Sequence, residues 1–358
     1  MNKLSEFNLF LDCHNPDVIA LTETWLSDNV PNSLITCSKL YSIYRHDRVS
    51  KRGGGVCLII KENSKMCIQP VSLPSKFDCL EILAVDFNDC SGALPFRFVV
   101  AYRPPDYSSC DNDLFFSALD YLANNCGRFC LTGDLNLPDF EWELFLHPDN
   151  GLYNAAANLV CSHGLIQLVN EPTREDNILD IVLCSDILSC DNIKCLAPLG
   201  SSDHNIVSFT LALSLPVVGD DETSQFRSNF IHADWSSLLH CLSAVNWTHE
   251  FSSCASADDM WSKFMEVVNS AISQNVPNYK SSASSHAYRY YPARIRKLYA
   301  NKLRCWKLFK TFRTEELLAK YKRVSKACSS SVKYFQNRIE DNLVNSGNLG
   351  SFYRYVNS

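Results

Sequence analysis

The chain has 358 residues, 46% hydrophobic and 20% charged, an ordinary balance for a globular protein long enough for two domains. No apolar run reaches the ~18 residues of a membrane span, and Met1-Asn2-Lys3-Leu4-Ser5-Glu6 lacks the basic-then-apolar order of a secretory signal, so the reading is intracellular with no membrane partner. The net charge of −6 hides an asymmetry: residues 1–215 carry 14 Lys and Arg against 27 Asp and Glu, hence −13, and residues 216–358 carry 19 against 12, hence +7. An acidic half suits carboxylates gathered around a divalent cation, and a basic half suits a polyanion.

In chain order, a helix is expected at Leu4–Cys13 and strands at Val18–Leu21, Val56–Ile60, Leu80–Val85 and Phe96–Tyr102. A helix follows at Asp113–Asn124, a strand at Phe129–Thr132, and a helix at Tyr153–His163 that stops before Gly164. Strands at Ile178–Cys184 and Ile206–Leu213 complete the first part. Several of these strands are apolar throughout, which predicts sheets buried on both faces. The polar stretch Pro216–Asn229 reads as a linker, and no strand is evident beyond it. Asp234 is placed to cap a helix through Ala244, and Asp258 lies near the start of another reaching Gln274. After a Ser281–Ser285 turn, helices are expected over Pro292–Phe312 and from a Thr314 N-cap onward, together a helical hairpin. The first carries the stripe Ile295, Tyr299, Leu303, Trp306 and Phe309, with Lys302 among the cations mostly off it.

The 17 cysteines are odd in number and scattered, with no Cys-x-x-Cys pair, which favours reduced thiols packed as small hydrophobes over zinc or a disulfide framework. Gly53-Gly54-Gly55 precedes a strand and lacks a following Lys-Ser/Thr, so it reads as a tight turn rather than a phosphate loop. Arg48, Lys51 and Arg52 beside it suit either a DNA backbone contact or a solvated loop.

The stretch Leu131-Thr132-Gly133-Asp134-Leu135-Asn136 carries the most chemistry. In an extended segment Asp134 and Asn136 project to the same side, so an acid and an amide share one pocket. A carboxylate can hold or deprotonate water and an amide can donate to a phosphoryl oxygen, which points to phosphodiester chemistry. Glu23, Tyr102, Thr173 and Arg174 with Asp180, and Ser202-Asp203-His204 also stand at ends of apolar strands. Each is weak alone, since a single strand-end Glu or Tyr is usually a solvated or half-buried rim residue.

In conjunction and order, Glu23, Tyr102, Asp134 with Asn136, Asp180 and Ser202-Asp203-His204 resemble the endonuclease/exonuclease/phosphatase superfamily typified by exonuclease III and deoxyribonuclease. The segments Ala20–Leu26, Tyr102-Arg103-Pro104-Pro105, Gly133–Pro138, Glu171-Pro172-Thr173-Arg174 and Ser202-Asp203-His204 look most like the endonuclease of non-long-terminal-repeat retrotransposon polyproteins. The similarity spans residues 1–215, and the basic helices look like the segment leading to a reverse transcriptase. The resemblance implies an α/β (α+β) four-layered sandwich of two packed, mainly antiparallel sheets flanked by helices, followed by an all-α C-terminal region. The expected organisation is thus an endonuclease domain at 1–215, a linker at 216–229 and a basic helical region at 230–358.

The same resemblance implies a metal-dependent DNA endonuclease leaving a 3′-hydroxyl for target-primed reverse transcription, in nucleus and cytoplasm. It assigns Glu23 and Asp203 to Mg2+, with Mn2+ as a substitute. His204 would face the phosphate, oriented by Asp180; Asp134 would position or deprotonate the water, with Asn136 holding that group, and Tyr102 would donate to a phosphate oxygen. Arg103, Thr173, Arg174 and Ser202 would contact DNA. In the superfamily a further strand precedes the first helix and supplies a metal-site Asn. Here that helix starts at Asn2-Lys3-Leu4, so the strand is expected to be missing. The rivals are a phosphatase or phosphodiesterase of the same superfamily and an impaired remnant that binds nucleic acid. From His286 to Arg338, 15 Lys and Arg meet 2 Asp and Glu, with Tyr288, Tyr290, Tyr291, Trp306, Phe309 and Phe312 interleaved. That mixture suits DNA or RNA binding, or equally an amphipathic pair whose aromatics only pack.

Overall fold

A computed structural model describes residues 3–36, 41–48, 52–62, 67–88, 94–124, 126–213, 226–228, 232–252, 254, 256–280 and 290–351. Asn2, Lys51, Tyr288, the Ser281–Ser285 turn and most of the 216–229 linker lie outside the described residues. The chain forms two compact units, Met1–Pro216 with Tyr290–Ser358, and Val217–Arg289. The expected region 230–358 is therefore divided, its last two helices grouping with the first 216 residues.

The first unit opens with α1 (Leu4–His14), β1 (Val18–Thr22), β2 (Tyr41–His46), β3 (Val56–Lys61), β4 (Cys67–Pro70), β5 (Glu81–Asn88) and β6 (Phe96–Tyr102). It continues with α2 (Ser109–Ala123), β7 (Arg128–Asp134), α3 (Gly151–Ser162), β8 (Ile166–Gln167), β9 (Asp180–Cys184), β10 (Cys190–Leu196) and β11 (Ile206–Leu211). Apolar runs such as Val56–Ile60 and Phe96–Tyr102 became buried strands as expected. The strands β2, β4, β8 and β10 carry polar or exposed residues and show no such run.

Six strands in the order β4-β5-β6-β7-β9-β8 form the main sheet. All neighbours are antiparallel except β6 and β7, which run parallel because α2 makes the crossover between them. Its outer face, with Val99, Leu131, Ile181 and Leu183, packs on Phe115 and Leu119 of α2 and Tyr153 and Val160 of α3. Ser108 and Asp111 close a capping box at the start of α2, and Asn150 caps α3. The inner face, with Phe98, Val100, Cys130 and Val182, meets the sheet β1-β3-β2 and the antiparallel pair β10-β11. Helix α1 covers the far side of that second layer through Phe7 and Leu11 against Cys57 and Ile59. The result is the four-layered mixed α/β sandwich with flanking helices.

The second unit holds α4 (Trp235–Ser243), α5 (Trp247–Glu250) and α6 (Ala257–Asn275). Asp234 caps α4, as its position suggests, and Ser256 caps α6. Strands β12 (Phe226–Ser228) and β13 (Asn278–Lys280) pair antiparallel, three residues each, where the sequence shows no strand pattern.

Back in the first unit, α7 (Ala293–Phe312) and α8 (Glu315–Asn345) form the expected hairpin, with Thr314 capping α8. Tyr291, Ile295, Tyr299, Cys328 and Val332 close over Leu9 of α1. Most of the hairpin's aromatics are occupied internally: Tyr290 and Tyr291 pack on Phe335, and Trp306 on Tyr321. Phe312 alone of the six interleaved rings is strongly exposed among the described residues, at 63%.

Candidate active site

Four neighbouring strands of the main sheet place four polar side chains in one row. Glu81 pairs with Tyr102, Tyr102 with Asp134, and Asp134 with Asp180. Directly paired residues share a face, here the inner one, so the row lies at one rim of the space between the sheets. Glu23, just past β1 in the second layer, reaches the row by accepting the Tyr102 hydroxyl proton at 2.5 Å. His204, just before β11, joins from the third side, its Nδ1 at 2.8 Å from Asp180 Oδ2. The structure thus brings Glu23, Tyr102, Asp134, Asp180 and His204 together from segments far apart in the chain.

The row is held from behind. Glu81 is 2% exposed, and its carboxylate accepts from Arg48 Nε at 2.7 Å and from the Gly55 backbone. Arg48 also lies 5.8 Å above the Tyr102 ring. Its guanidinium is therefore engaged inside the site, neither on a DNA backbone nor in a solvated loop. The triple glycine is a turn, as expected. At Gly54, with φ +69°, a Cβ would sit 2.4 Å from both Arg48 and Glu81, so glycine is needed for this approach.

Asp134 is 3% exposed at the end of β7. Its Oδ1 accepts the backbone N–H of Asn136 at 3.0 Å, and Asn136 turns there with φ +48°. The Asn136 amide nitrogen donates to Arg103 O at 2.9 Å, so this residue holds the Asp134 carboxylate through its backbone and the loop through its side chain. Gly133, with φ +137°, has Ala101 O 1.9 Å from where a Cβ would stand. Left-handed backbone at Glu23, Gly133 and Asn136 concentrates strain at this rim.

Two of the residues expected at the DNA, Arg103 and Thr173, are engaged within the protein. Arg103 is 2% exposed and donates to Leu135 O at 2.6 Å, Asn136 O at 2.7 Å, Pro104 O at 3.2 Å and Asn112 Oδ1 at 3.1 Å. Burial lowers its pKa, and these donors brace the Asp134 loop. Thr173 is fully buried, its hydroxyl accepting from the N–H groups of Leu179 and Asp180 at 3.0 Å each. It fixes the start of β9 and hence Asp180. Arg174 is exposed and pairs with Asp203 at 2.8 Å. Ser202 Oγ accepts the His204 backbone N–H at 3.4 Å. The residues that sequence reasoning missed are Glu81 and Asn112; an acid opening an apolar strand was the only signal for the first.

The electrostatics follow from the crowding. Burial and the nearby Asp180 charge push the Asp134 carboxyl up to about 7, against the opposing pull of His204 and the Asn136 N–H. For His204 burial disfavours the cation, yet the Asp180 bond and the charges of Asp180, Asp134 and Asp203 outweigh it and raise the pKa. Burial and the Glu23 bond raise the Tyr102 hydroxyl's pKa far above its usual range, so it remains a donor. Side-chain ligand atoms of Asp134, Asp180 and His204 lie within 4.8 Å of one another, a group that Glu23 and Asp203 do not join. Hard oxygen donors around an excess of negative charge fit a divalent cation such as Mg2+. Within this set His204 engages Asp180 Oδ2, the Asn136 N–H engages Asp134 Oδ1, Tyr102 engages Glu23 Oε1 and Arg174 engages Asp203 Oδ2, which leaves the second carboxylate oxygens as the candidate ligands. Three thiols, Cys130, Cys184 and Cys190, form a second group within 4.8 Å, buried in the core four residues along β7 and β9 from Asp134 and Asp180. A cavity of about 430 Å3 opens beside the row, lined by Asn136, Pro138, Tyr153, Arg174, Glu175 and Asn177 among others.

Residues 6–204 match the model of the endonuclease/exonuclease/phosphatase family. No curated protein matches the chain. Among solved structures, an AP endonuclease from Leishmania major is similar at 14% identity and a TM-score of 0.47, over 58% of this chain and 82% of that one. An AP endonuclease from Archaeoglobus fulgidus is similar at 14% identity and 0.43, over 59% and 95%. A 3′-5′ exonuclease from Neisseria meningitidis is similar at 15% identity and 0.44, again over 59% and 95%.

Proposed function

The chain belongs to the endonuclease/exonuclease/phosphatase family, and from this premise we propose that it is a magnesium-dependent DNA endonuclease that hydrolyses a phosphodiester to leave a 3′-hydroxyl. The observation that carries the reading is the row itself: Tyr102, Asp134 and Asp180 in register on adjacent strands, with His204 bonded to Asp180. Phosphodiester hydrolysis needs a base for water, donors for the phosphoryl oxygens and relief of developing charge.

Asp134 takes the proton from the attacking water. A carboxyl pushed up to about 7 is matched to that task near neutrality, and the Asn136 N–H keeps one oxygen in place. His204 has Nδ1 fixed on Asp180, which leaves Nε2 to donate to the phosphate. Tyr102 donates to a second phosphoryl oxygen once the substrate displaces its bond to Glu23. A cation held by Glu23 and Asp203 would neutralise charge on the phosphate. Arg174 and Ser202 at the rim meet the DNA backbone, and the adjoining cavity seats a flanking nucleotide.

The finer reading is the nuclease of a non-long-terminal-repeat retrotransposon, synthesised in the cytoplasm and acting in the nucleus, whose nick primes reverse transcription. It is supported by the segments Tyr102-Arg103-Pro104-Pro105 and Pro172-Thr173-Arg174 and by the basic helices. The exposed cations Arg294, Lys297, Arg304 and Lys307 of α7 are the surface offered to DNA or RNA. The test is a substrate panel with Mg2+ or Mn2+: supercoiled plasmid, single-stranded DNA, inositol phosphates and a phosphomonoester. The reading expects plasmid nicks that a polymerase extends. Turnover of inositol phosphates without nicking would replace it by a phosphatase.

A further inference from the structure

Helix α7 lies outside residues 6–204, the stretch that matches the family model, yet it holds both loops that carry the third side of the site. Lys302, expected mostly off the apolar stripe, falls seven residues after Ile295 and so lies on the helix's buried face. It is 1% exposed, its Nζ 3.3 Å from Glu6 Oε2 and 3.1 Å from Pro198 O. A buried ammonium is retained only where charge and hydrogen bonds meet it, and here the carbonyl it meets opens the loop leading to Asp203 and His204. Cys305 and Tyr321 pack on Ala197, one residue earlier. Two turns further along α7, Lys310 pairs with Glu171, which opens the other loop, two residues before Thr173.

The two loops are coupled to one another. Asn205 N donates to Thr173 O at 2.7 Å, and Asn205 Nδ2 donates to Pro172 O at 3.0 Å. Glu171 also accepts the Cys195 N–H at 3.2 Å, tying Lys310 to the end of β10. Thr173 in turn fixes Asp180, and Asp180 fixes His204.

We propose that Lys302 and Lys310 are positioning residues that fix the 197–205 and 171–174 loops from behind, so that the C-terminal hairpin is an integral part of the active site rather than an appendage. Neither side chain needs to touch substrate. A displacement of His204 by ~1 Å is enough to lower turnover by up to roughly a hundredfold. This inference rests on the hydrolase reading for its catalytic consequence, but not for its structural one.

Lys310 is the better probe, because its pair with Glu171 is partly exposed and its loss leaves the core intact. In the full chain, Lys310→Met is compared with Lys310→Arg by nicking kinetics and by hydrogen exchange at the amides of Asp180, Cys195 and Asn205. Lys310→Met should lower kcat roughly tenfold with KM and its salt dependence unchanged, and should speed exchange at those amides roughly tenfold. Lys310→Arg should restore both to within about twofold, since it keeps the cation. The buried pair gives a second measurement: Lys302→Met with Glu6→Gln removes both charges together and should again speed exchange at Asn205. A change confined to KM and salt dependence would make Lys310 a phosphate contact and overturn the proposal, as would unchanged exchange in both variants. If the wild-type chain cleaves no phosphodiester at all, the hydrolase reading fails, while the exchange measurement still decides the positioning role.

Discussion

Replacing Asp134 with Asn should make the metal-free protein more stable at neutral pH while removing its activity. The carboxyl is 3% exposed beside Asp180, and its pKa rises from an ordinary 3.8 to about 7. A carboxyl whose folded pKa is raised favours the fold most when it is protonated in both states, below about 3.8. As pH climbs towards 7 the unfolded chain has lost this proton and the native state still binds it, so stability from this group falls by about 1.36 kcal/mol per pH unit. Over roughly three units the ceiling is about 4 kcal/mol, and relaxation of the site brings the expectation to roughly 2–4 kcal/mol. Asn keeps an oxygen for the Asn136 N–H, so little else changes. Urea unfolding in EDTA at about pH 3.5 and about pH 8 is the assay. The two proteins should agree at the acid pH, and the variant should be the more stable by that margin at the alkaline one. Equal stability under alkaline conditions, or a less stable variant, would refute the argument that Asp134 is held ionised against its environment.

Four further outcomes follow from the same geometry. Asp180→Asn should lower the His204 pKa from its raised value, because the hydrogen-bonded charge opposite Nδ1 is gone; a histidine NMR titration reads this, and the imidazolium should then be lost at lower pH. Gly133→Ala should cost about 3 kcal/mol or more in thermal unfolding, since a Cβ would stand 1.9 Å from Ala101 O at φ +137°. Arg103→Met should destabilise by roughly 2–4 kcal/mol, leaving the Leu135 and Asn136 carbonyls without their donor, but the salt dependence of DNA binding should not change. Reversing the charge of Arg294, Lys297, Arg304 and Lys307 in the full chain should flatten the salt slope of duplex binding by about 0.9 for each phosphate that is no longer neutralised.

Much of the fold was legible because its central strands are buried on both faces. Val56–Ile60 and Phe96–Tyr102 are unbroken apolar runs, and such runs read as strands without help from periodicity. The strand β10 was invisible because exposed polar residues interrupt it at a bulge, and β4 because its residues are mostly exposed. The site members were visible as polar residues at strand ends, but not the register that unites them. That register depends on pairing between β5, β6, β7 and β9, which is non-local. The bracing by Arg103 and Thr173 was not legible because it depends on their burial, and a sequence does not display burial. Residue type points Lys302 to solvent, whereas its place seven residues after Ile295 sets it on the buried stripe, where Glu6, 296 residues away in sequence, meets its charge. The aromatics interleaved with the basic residues were open to stacking on bases or packing together, and Tyr290 and Tyr291, just before α7, and Trp306 within it pack.

The proposed hydrolysis of DNA rests on the row of Tyr102, Asp134 and Asp180 with His204. Conversion of supercoiled plasmid to nicked circles by the full chain, with Mg2+ and with EDTA, tests it most directly. Mg2+-dependent nicking is expected, with a rate that falls ~10²-fold or more in Asp134→Asn and in His204→Ala, both still folding cooperatively. Nicking that persists undiminished in both variants, or that proceeds equally in EDTA, would contradict this assignment.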